Sequence, residues 1–250
     1  MSFPWNLILC LLLIYLLIIL SMYAGKWVSR LIDRKTSFAV LAVVLVLLLV
    51  QGFASTDRLP HTPIYTGALL CFAAVLVLKV IENIRHFSLK RLPQALSHGA
   101  IALVLLAAIF GRGDKLILTA AVPEGETVGM ATDEEGVPHA LPFHLMLKDF
   151  SMETYPSGMP KKYLSEVVIT DASGKERPFD ITVNHPATVG SWKIYQADYD
   201  TEDPQWGTVS ILECVRDPWY PAVLIGLWML LIAGAGMIVF AGSKKKEVQP

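Results

Sequence analysis

Cysteine pairs are missing from this sequence. Cys10, Cys71 and Cys214 stand far apart with no Cys-x-x-Cys among them, which excludes thioredoxin-like dithiol exchange and covalent haem attachment through paired thioethers. There is also no Gly-rich phosphate loop, no His-Glu-x-x-His helix, no Gly-x-Ser-x-Gly elbow and no pair of acids inside an apolar run, so the common signatures of phosphate-cradling, zinc-peptidase and serine-hydrolase chemistry are gone. Charge is scarce as well: Asp, Glu, Lys and Arg make up 17% of the residues and crowd into a few segments. No internal repeat or low-complexity stretch is visible.

What fills the sequence is apolar. Hydrophobic residues are 54% of the chain, and five runs stand out: Trp5 to Ala24, Phe38 to Ala54, Ile64 to Ile81, Leu96 to Gly111 and Trp219 to Gly242. Crossing ~30 Å of hydrocarbon at ~1.5 Å per residue takes roughly 17 to 25 residues. Only the fourth run is marginal. The composition predicts a polytopic α-helical membrane protein of about five spans. Basic residues orient them, because short cytoplasmic loops are enriched in Lys and Arg. Lys26, Arg30, Arg34 and Lys35 follow the first run, Arg85, Lys90 and Arg91 follow the third, and Lys244, Lys245 and Lys246 end the tail, whereas Ser55 to Pro63 has Arg58 offset by Asp57. This pattern predicts a cytoplasmic membrane protein with its N-terminus outside and its C-terminus inside. With no basic residue ahead of the first run and a cluster behind it, that run reads as a retained anchor rather than a secretory signal.

The segment between the fourth and fifth runs is different. From Arg112 to Asp217 there are nine Lys and Arg against eighteen Asp and Glu, a balance of −9 in a chain whose total is −1. Such a surface repels nucleic acid and anionic headgroups and attracts basic proteins at low salt. Short β-branched and aromatic runs at Phe143 to Met152, Tyr163 to Thr170, Phe179 to Asn184, Ser191 to Ala197 and Thr208 to Val215 alternate with turn signals such as Tyr155-Pro156-Ser157-Gly158, Asp171-Ala172-Ser173-Gly174, His185-Pro186 and Asp203-Pro204. The pattern predicts a small all-β extracytoplasmic domain, a sandwich or barrel, inserted before the last span. The expected organisation is a four-helix membrane region over 1–111, the β domain over 112–217, a final helix over 218–243 and a basic tail over 244–250.

Few polar residues interrupt the spans. His98 is a titratable imidazole inside an apolar stretch, a costly placement that points to a partner, cavity or ligand, and imidazole can bind a metal through one nitrogen while the other is held by a neighbour. The bland alternative is an interfacial histidine bonded to a headgroup or a carbonyl. Lys79 reads as a snorkelling residue and Gln51 as helix-packing glue. His61 and His86 fall in loops and read as solvated. His139 and His144 lie on a stretch where side chains alternate faces, so a shared zinc is disfavoured.

Beyond these features, Leu141-Pro142-Phe143-His144-Leu145-Met146-Leu147-Lys148-Asp149-Phe150, Tyr155-Pro156-Ser157-Gly158, Pro160-Lys161, Tyr163 with Ser165, Val183-Asn184-His185-Pro186, Gly190, Tyr195-Gln196, Tyr199 and Arg216-Asp217-Pro218 form an ordered series. The series resembles the ResB family, also called CcsB, one half of the system II cytochrome c biogenesis machinery. Ser97-His98-Gly99-Ala100 through Phe110-Gly111 is similar to the family's span before the outer domain, in which an early histidine is held to ligate haem. The resemblance implies that His98 is an axial ligand of a transient haem b shared with a CcsA-type membrane partner. It further implies that the pair exports haem and presents it to apocytochrome c, with a thioredoxin-like thiol reductase as a further possible partner. It implies a non-catalytic subunit of a haem lyase complex.

No other span carries a histidine, so a second imidazole has to come from the partner. Pro142, Pro156, Gly158, Asn184, Pro186 and Gly190 read as turn formers, and Phe143, Phe150, Tyr163, Tyr195 and Tyr199 as core or cross-strand aromatics. Asp149, Gln196 and Arg216 are harder to explain by packing and are candidates for partner contact. The chain departs from the family in its compact outer domain, its additional first span and its lack of a tryptophan-rich segment, Trp206-Gly207 being isolated. Two other classes stay open: a membrane scaffold whose β domain docks a basic protein without touching haem, and a transporter, for which only His98, Gln51 and Lys79 could line a path.

Overall fold

A computed structural model describes residues 3–54, 59–157, 159–203 and 207–246; the expected turn residues Gly158 and Pro204 and the isolated Trp206 lie outside them. The chain divides into two units, a helical one formed by Met1–Asp114 with Pro218–Pro250 and a β one formed by Lys115–Asp217.

The helical unit contains α1 (Trp5–Tyr23), α2 (Gly25–Leu31), α3 (Arg34–Ala54), α4 (Pro63–Arg85), α5 (Leu92–Gly111) and α6 (Tyr220–Lys246). All but α2 are long and apolar enough to cross a membrane. The basic stretch after α1 is not an open loop: it folds as α2 and the first turn of α3, and the Asp33 carboxylate accepts from the Lys35 N–H at 3.1 Å. Thr62 caps α4 by accepting from the Tyr65 N–H, with Pro63 filling the first turn where its missing donor costs nothing. Pro93 starts α5 in the same way. That helix therefore begins four residues ahead of Leu96 and reaches 20 residues, removing the shortness of the fourth span.

Small residues let the helices approach. Gly226 of α6 lies against α5 so closely that a Cβ there would stand 2.6 Å from Val104 Cγ2 and 3.2 Å from the Ala100 carbonyl oxygen. Leu17 of α1 and Leu78 of α4 share a buried cluster with Val28 and Ile32. Arg85 at the end of α4 donates to the Ser21 carbonyl at 2.8 Å and to its hydroxyl at 3.0 Å. Gln51 behaves as expected of helix glue, its Oε1 accepting from the Tyr65 hydroxyl at 2.7 Å and joining α3 to α4. Leu11, Leu16, Val46, Leu49, Leu231 and Ile238 face outward, as lipid-exposed helices require.

The β unit has eight strands: β1 (Leu116–Pro123), β2 (Thr127–Thr132), β3 (Pro138–Thr154), β4 (Pro160–Asp171), β5 (Glu176–Ile181), β6 (Ala187–Val189), β7 (Trp192–Asp203) and β8 (Gly207–Arg216). They form one sheet in the order β5-β4-β3-β2-β1-β8-β7-β6, with every neighbouring pair antiparallel. The sheet curls until its end strands β5 and β6 approach each other. Alternate residues then point inward, and Leu118, Phe143, Leu145, Leu147, Ile169, Ile181, Ile194 and Leu212 make a core that is almost fully buried. The five expected strands are present. The remaining three, β1, β2 and β6, either follow a helix without a turn signal, carry small residues, or run only three residues.

Candidate functional site

The helical unit opens a cleft of about 560 Å³ between α3, α4 and α5, inside the range of ~300 to 1,000 Å³ typical of small-molecule and cofactor sites. Leu41 of α3, Phe72, Val75 and Leu76 of α4 and Ile101 of α5 supply apolar walls. Arg34, Ser37, Lys79 and Gln94 add polar groups. His98 lines the same cleft from α5.

His98 sits six residues into α5, about 9 Å along the axis rather than in the opening turn. Its imidazole is half-buried, and Nδ1 is fully shielded with no hydrogen-bond partner among the described residues. The carbonyl of Gln94, four residues back and the natural local acceptor, instead receives the Ser97 hydroxyl at 2.9 Å. Leaving a polar nitrogen buried and unbonded costs roughly 1 to 3 kcal/mol. Shielded as it is, Nδ1 meets nothing from outside the chain unless the atoms over it move, whereas the His98 ring borders a space of cofactor size with apolar walls. Within the helical unit the residues therefore fit a flat apolar macrocycle carrying an iron, with His98 as the donor.

Lys79 reaches toward the end of the span, as expected of a snorkelling residue, and finds a protein partner there. Its Nζ donates to the Ile32 carbonyl at 2.8 Å, at the C-terminal cap of α2, where the exposed carbonyls of a helix end favour a cation. The ammonium is thus held on the cleft wall. The sequence marked Lys79 as a charge within a span, but nothing in it showed that α2 would supply the carbonyl. Arg34, which reads from sequence as one more basic loop residue, stands at the start of α3 on the same cleft.

A second polar centre was not legible as such. Asp114, only 4% exposed, accepts from Asn6 Nδ2 at 2.9 Å and from Trp219 Nε1 at 2.6 Å. It ties the start of α1 and the approach to α6 to the end of α5. Its two hydrogen bonds account for it structurally.

In the β unit the three proposed contact residues do not converge. Asp149 is exposed on β3, next to a bulge at Lys148. Arg216 is exposed at the end of β8, its guanidinium 5.8 Å from the centre of the Trp192 ring. Gln196 is only 5% exposed: its Oε1 accepts from the hydroxyls of Ser165 at 2.5 Å and Ser210 at 3.1 Å, while Nε2 donates to the Asp198 carbonyl at 2.7 Å. Gln196 therefore ties β4, β7 and β8 together inside the sheet and has no face for a partner.

The family-like aromatics also act structurally. Phe143 meets Trp192 edge to face at 5.9 Å, Phe150 stacks on Tyr199, and Tyr163 meets the same ring at a 40° tilt. Burial followed by the neighbouring Tyr199 raises the Tyr163 hydroxyl above its ordinary range. His139 and His144 do not meet: His139 Nε2 lies 2.8 Å from Asp133 Oδ2, holding that carboxyl below its usual value, and His144 lies over Gly129.

Comparison with known proteins follows the same division of the chain. A model of the ResB-like family matches residues 88–216, from just ahead of α5 to the end of β8. Among curated proteins, the cytochrome c biogenesis protein CcsB of Synechococcus sp. (strain JA-3-3Ab) is 27% identical over 109 residues, 43% of this chain. The matched stretch is 23% of that relative's length. Among solved structures, the cytochrome c haem lyase CcmF aligns with a TM-score of 0.43 at 12% identity, over 79% of this chain and 34% of that one.

Proposed function

The chain belongs to the ResB-like family, and we propose that it is a membrane component of cytochrome c maturation that holds haem in transit through His98. The observation that carries this reading is an intramembrane imidazole, His98, lining a cleft of cofactor size with apolar walls. His98 supplies one axial nitrogen. The chain offers no second intramembrane imidazole, so a CcsA-type membrane protein supplies the other and the site is shared. Haem enters as cargo, and attachment to apocytochrome c proceeds on the partner rather than here.

Orientation follows from the charges. Arg30, Arg34, Lys35, Arg85, Lys90 and Arg91 flank the same ends of α1, α3, α4 and α5, which puts those ends in the cytoplasm and the acidic β unit outside. There, Asp149 and Arg216 are exposed to meet a partner, and the net negative surface favours a basic one such as apocytochrome c or a thiol reductase that prepares it.

The test is to co-purify the chain with a CcsA-type protein and compare the visible spectrum and haem content of wild type and His98→Ala. Loss of the bis-histidine spectrum and a several-fold drop in haem support the ligand role. An unchanged spectrum in the alanine variant overturns it and leaves the scaffold reading. For sidedness, Glu135→Cys should react with a membrane-impermeant maleimide in intact spheroplasts and Lys35→Cys should not; the reverse result overturns the orientation.

A further inference from the structure

The polar groups of the cleft are sorted along its length. The ends of the stretches Arg34 to Leu41 on α3, Lys79 back to Phe72 on α4 and Gln94 to Ile101 on α5 each lie seven positions apart, about 10 Å or two helical turns. The helices alternate in direction, as the Gln51 to Tyr65 bond at one end of the α3 and α4 pair and the Lys79 to Ile32 bond at the other require. Arg34, Lys79 and Gln94 therefore share one level, Leu41, Phe72 and Ile101 share the other, and His98 lies between them.

That order matches a particular ligand shape: a flat apolar body with a bonding atom at its middle and anionic groups along one edge. Arg34 is exposed and has no ion pair or hydrogen bond among the described residues. Lys79 spends one of its three N–H donors on Ile32 and keeps the others. Among the described residues, no acid lines the cleft. Two cations at one end of an apolar cleft lack an anion, and cations bind carboxylates through strong charge-assisted hydrogen bonds.

We propose that Arg34 and Lys79 bind the two carboxylates of the tetrapyrrole, so that haem lies in the cleft with its propionate edge at the basic end and its apolar edge toward Leu41, Phe72 and Ile101. The proposal rests on the haem reading of His98 and adds the orientation of the cargo. The same contact selects a dicarboxylate macrocycle over an uncharged one.

The experiment titrates the purified complex of full chain and CcsA-type partner with iron protoporphyrin IX and separately with its dimethyl ester, following the Soret band. Wild type should bind the free acid at least about tenfold more tightly than the ester, tenfold being the size of about one charge-assisted bond. Arg34→Gln should weaken the acid several-fold and leave the ester unchanged, and the double variant with Lys79→Gln should bind both alike. Arg34→Gln breaks no bond within the protein, so its thermal midpoint should match wild type and keep the test readable even where Lys79→Gln unfolds. Equal affinity of wild type for acid and ester overturns the orientation while the haem reading stands. Equally effective displacement of haem by a long-chain fatty acid also overturns it, by marking a lipid carboxylate site. Absence of binding by either compound, with His98→Ala indistinguishable from wild type, overturns both.

Discussion

Trp219 Nε1 donates to a carboxyl oxygen of Asp114 at 2.6 Å, and the indole ring lies so near α5 that a Cβ at Gly111 would stand 2.8 Å from its Cγ. One bond thus fixes where the chain re-enters the helical unit. Because Asn6 shares the same carboxyl at 2.9 Å, Asp114→Ala removes the acceptor of two hydrogen bonds. We expect a loss of roughly 2 to 3 kcal/mol, seen as a lower thermal midpoint of the detergent-solubilised chain by tryptophan fluorescence. Trp219→Phe should cost less, since Asn6 keeps its acceptor. Equal midpoints for Asp114→Ala and wild type would refute the clamp.

Close packing of α5 and α6 makes a second expectation. Gly226→Ala places a methyl against Val104 and the Ala100 carbonyl, and overpacking of this kind costs about 1 to 3 kcal/mol. Val104 is a side chain that can be trimmed, whereas the carbonyl is backbone. Adding Val104→Ala should therefore restore part of the loss, a non-additivity that a double-mutant cycle measures directly. Strict additivity would mean that the two residues do not meet.

The five spans were legible because apolar length is a local property, and the β character of the acidic segment because alternation is local too. Asp114 was not: its partners are Asn6 and Trp219, about a hundred positions away in each direction, and no local pattern announces such a meeting. His98 was found by its chemistry, but its helix starts four residues ahead of the apolar run that marks it, because Leu92-Pro93 acts as a helix start. From sequence Lys79 reads as reaching for the end of its span, which it does, but only the fold of α2 supplies the carbonyl that holds it. Gln196 looked too polar for a core because its hydroxyl partners, Ser165 and Ser210, come from separate strands.

That buried triad carries its own prediction. Gln196→Leu keeps the volume but removes the acceptor for both serine hydroxyls, which retain only each other at 2.8 Å. A loss of about 1 to 3 kcal/mol is expected, together with faster amide exchange across β7 and β8. Adding Ser165→Ala and Ser210→Ala should recover stability, since an apolar replacement of the whole network leaves nothing unbonded. No recovery would show that the network matters for shape rather than for hydrogen bonding.

At the β4–β5 turn, Asp171 is held down to about 2, first by the Ser173 hydroxyl and then by the Lys175 and Ser173 N–H groups. A carboxyl depressed in the fold adds stability that is complete above its unfolded value of 3.8 and fades as pH falls toward about 2. The Ser173 and Lys175 amide resonances should therefore keep their hydrogen-bonded shifts at pH 4 and lose them with a midpoint near 2. Asp171→Asn should abolish that titration. A midpoint near 4 would show that the turn does not hold the carboxylate.

Cys214 is fully buried on β8, and burial, helped by the adjacent Glu213, pushes its thiol from 9.0 up to about 12. Nucleophilic attack needs the thiolate, and a rise of three units lowers the thiolate fraction at pH 8 by about a thousandfold. Sequence placed this cysteine outside the membrane, where a free thiol invites oxidation or exchange with a thiol reductase. The fold withdraws it from that chemistry. Mass spectrometry of the Cys214 peptide after treatment with a water-soluble maleimide should find it unmodified in the native chain and fully modified in denaturant. Rapid labelling of the native protein would mean that the sheet opens at β8.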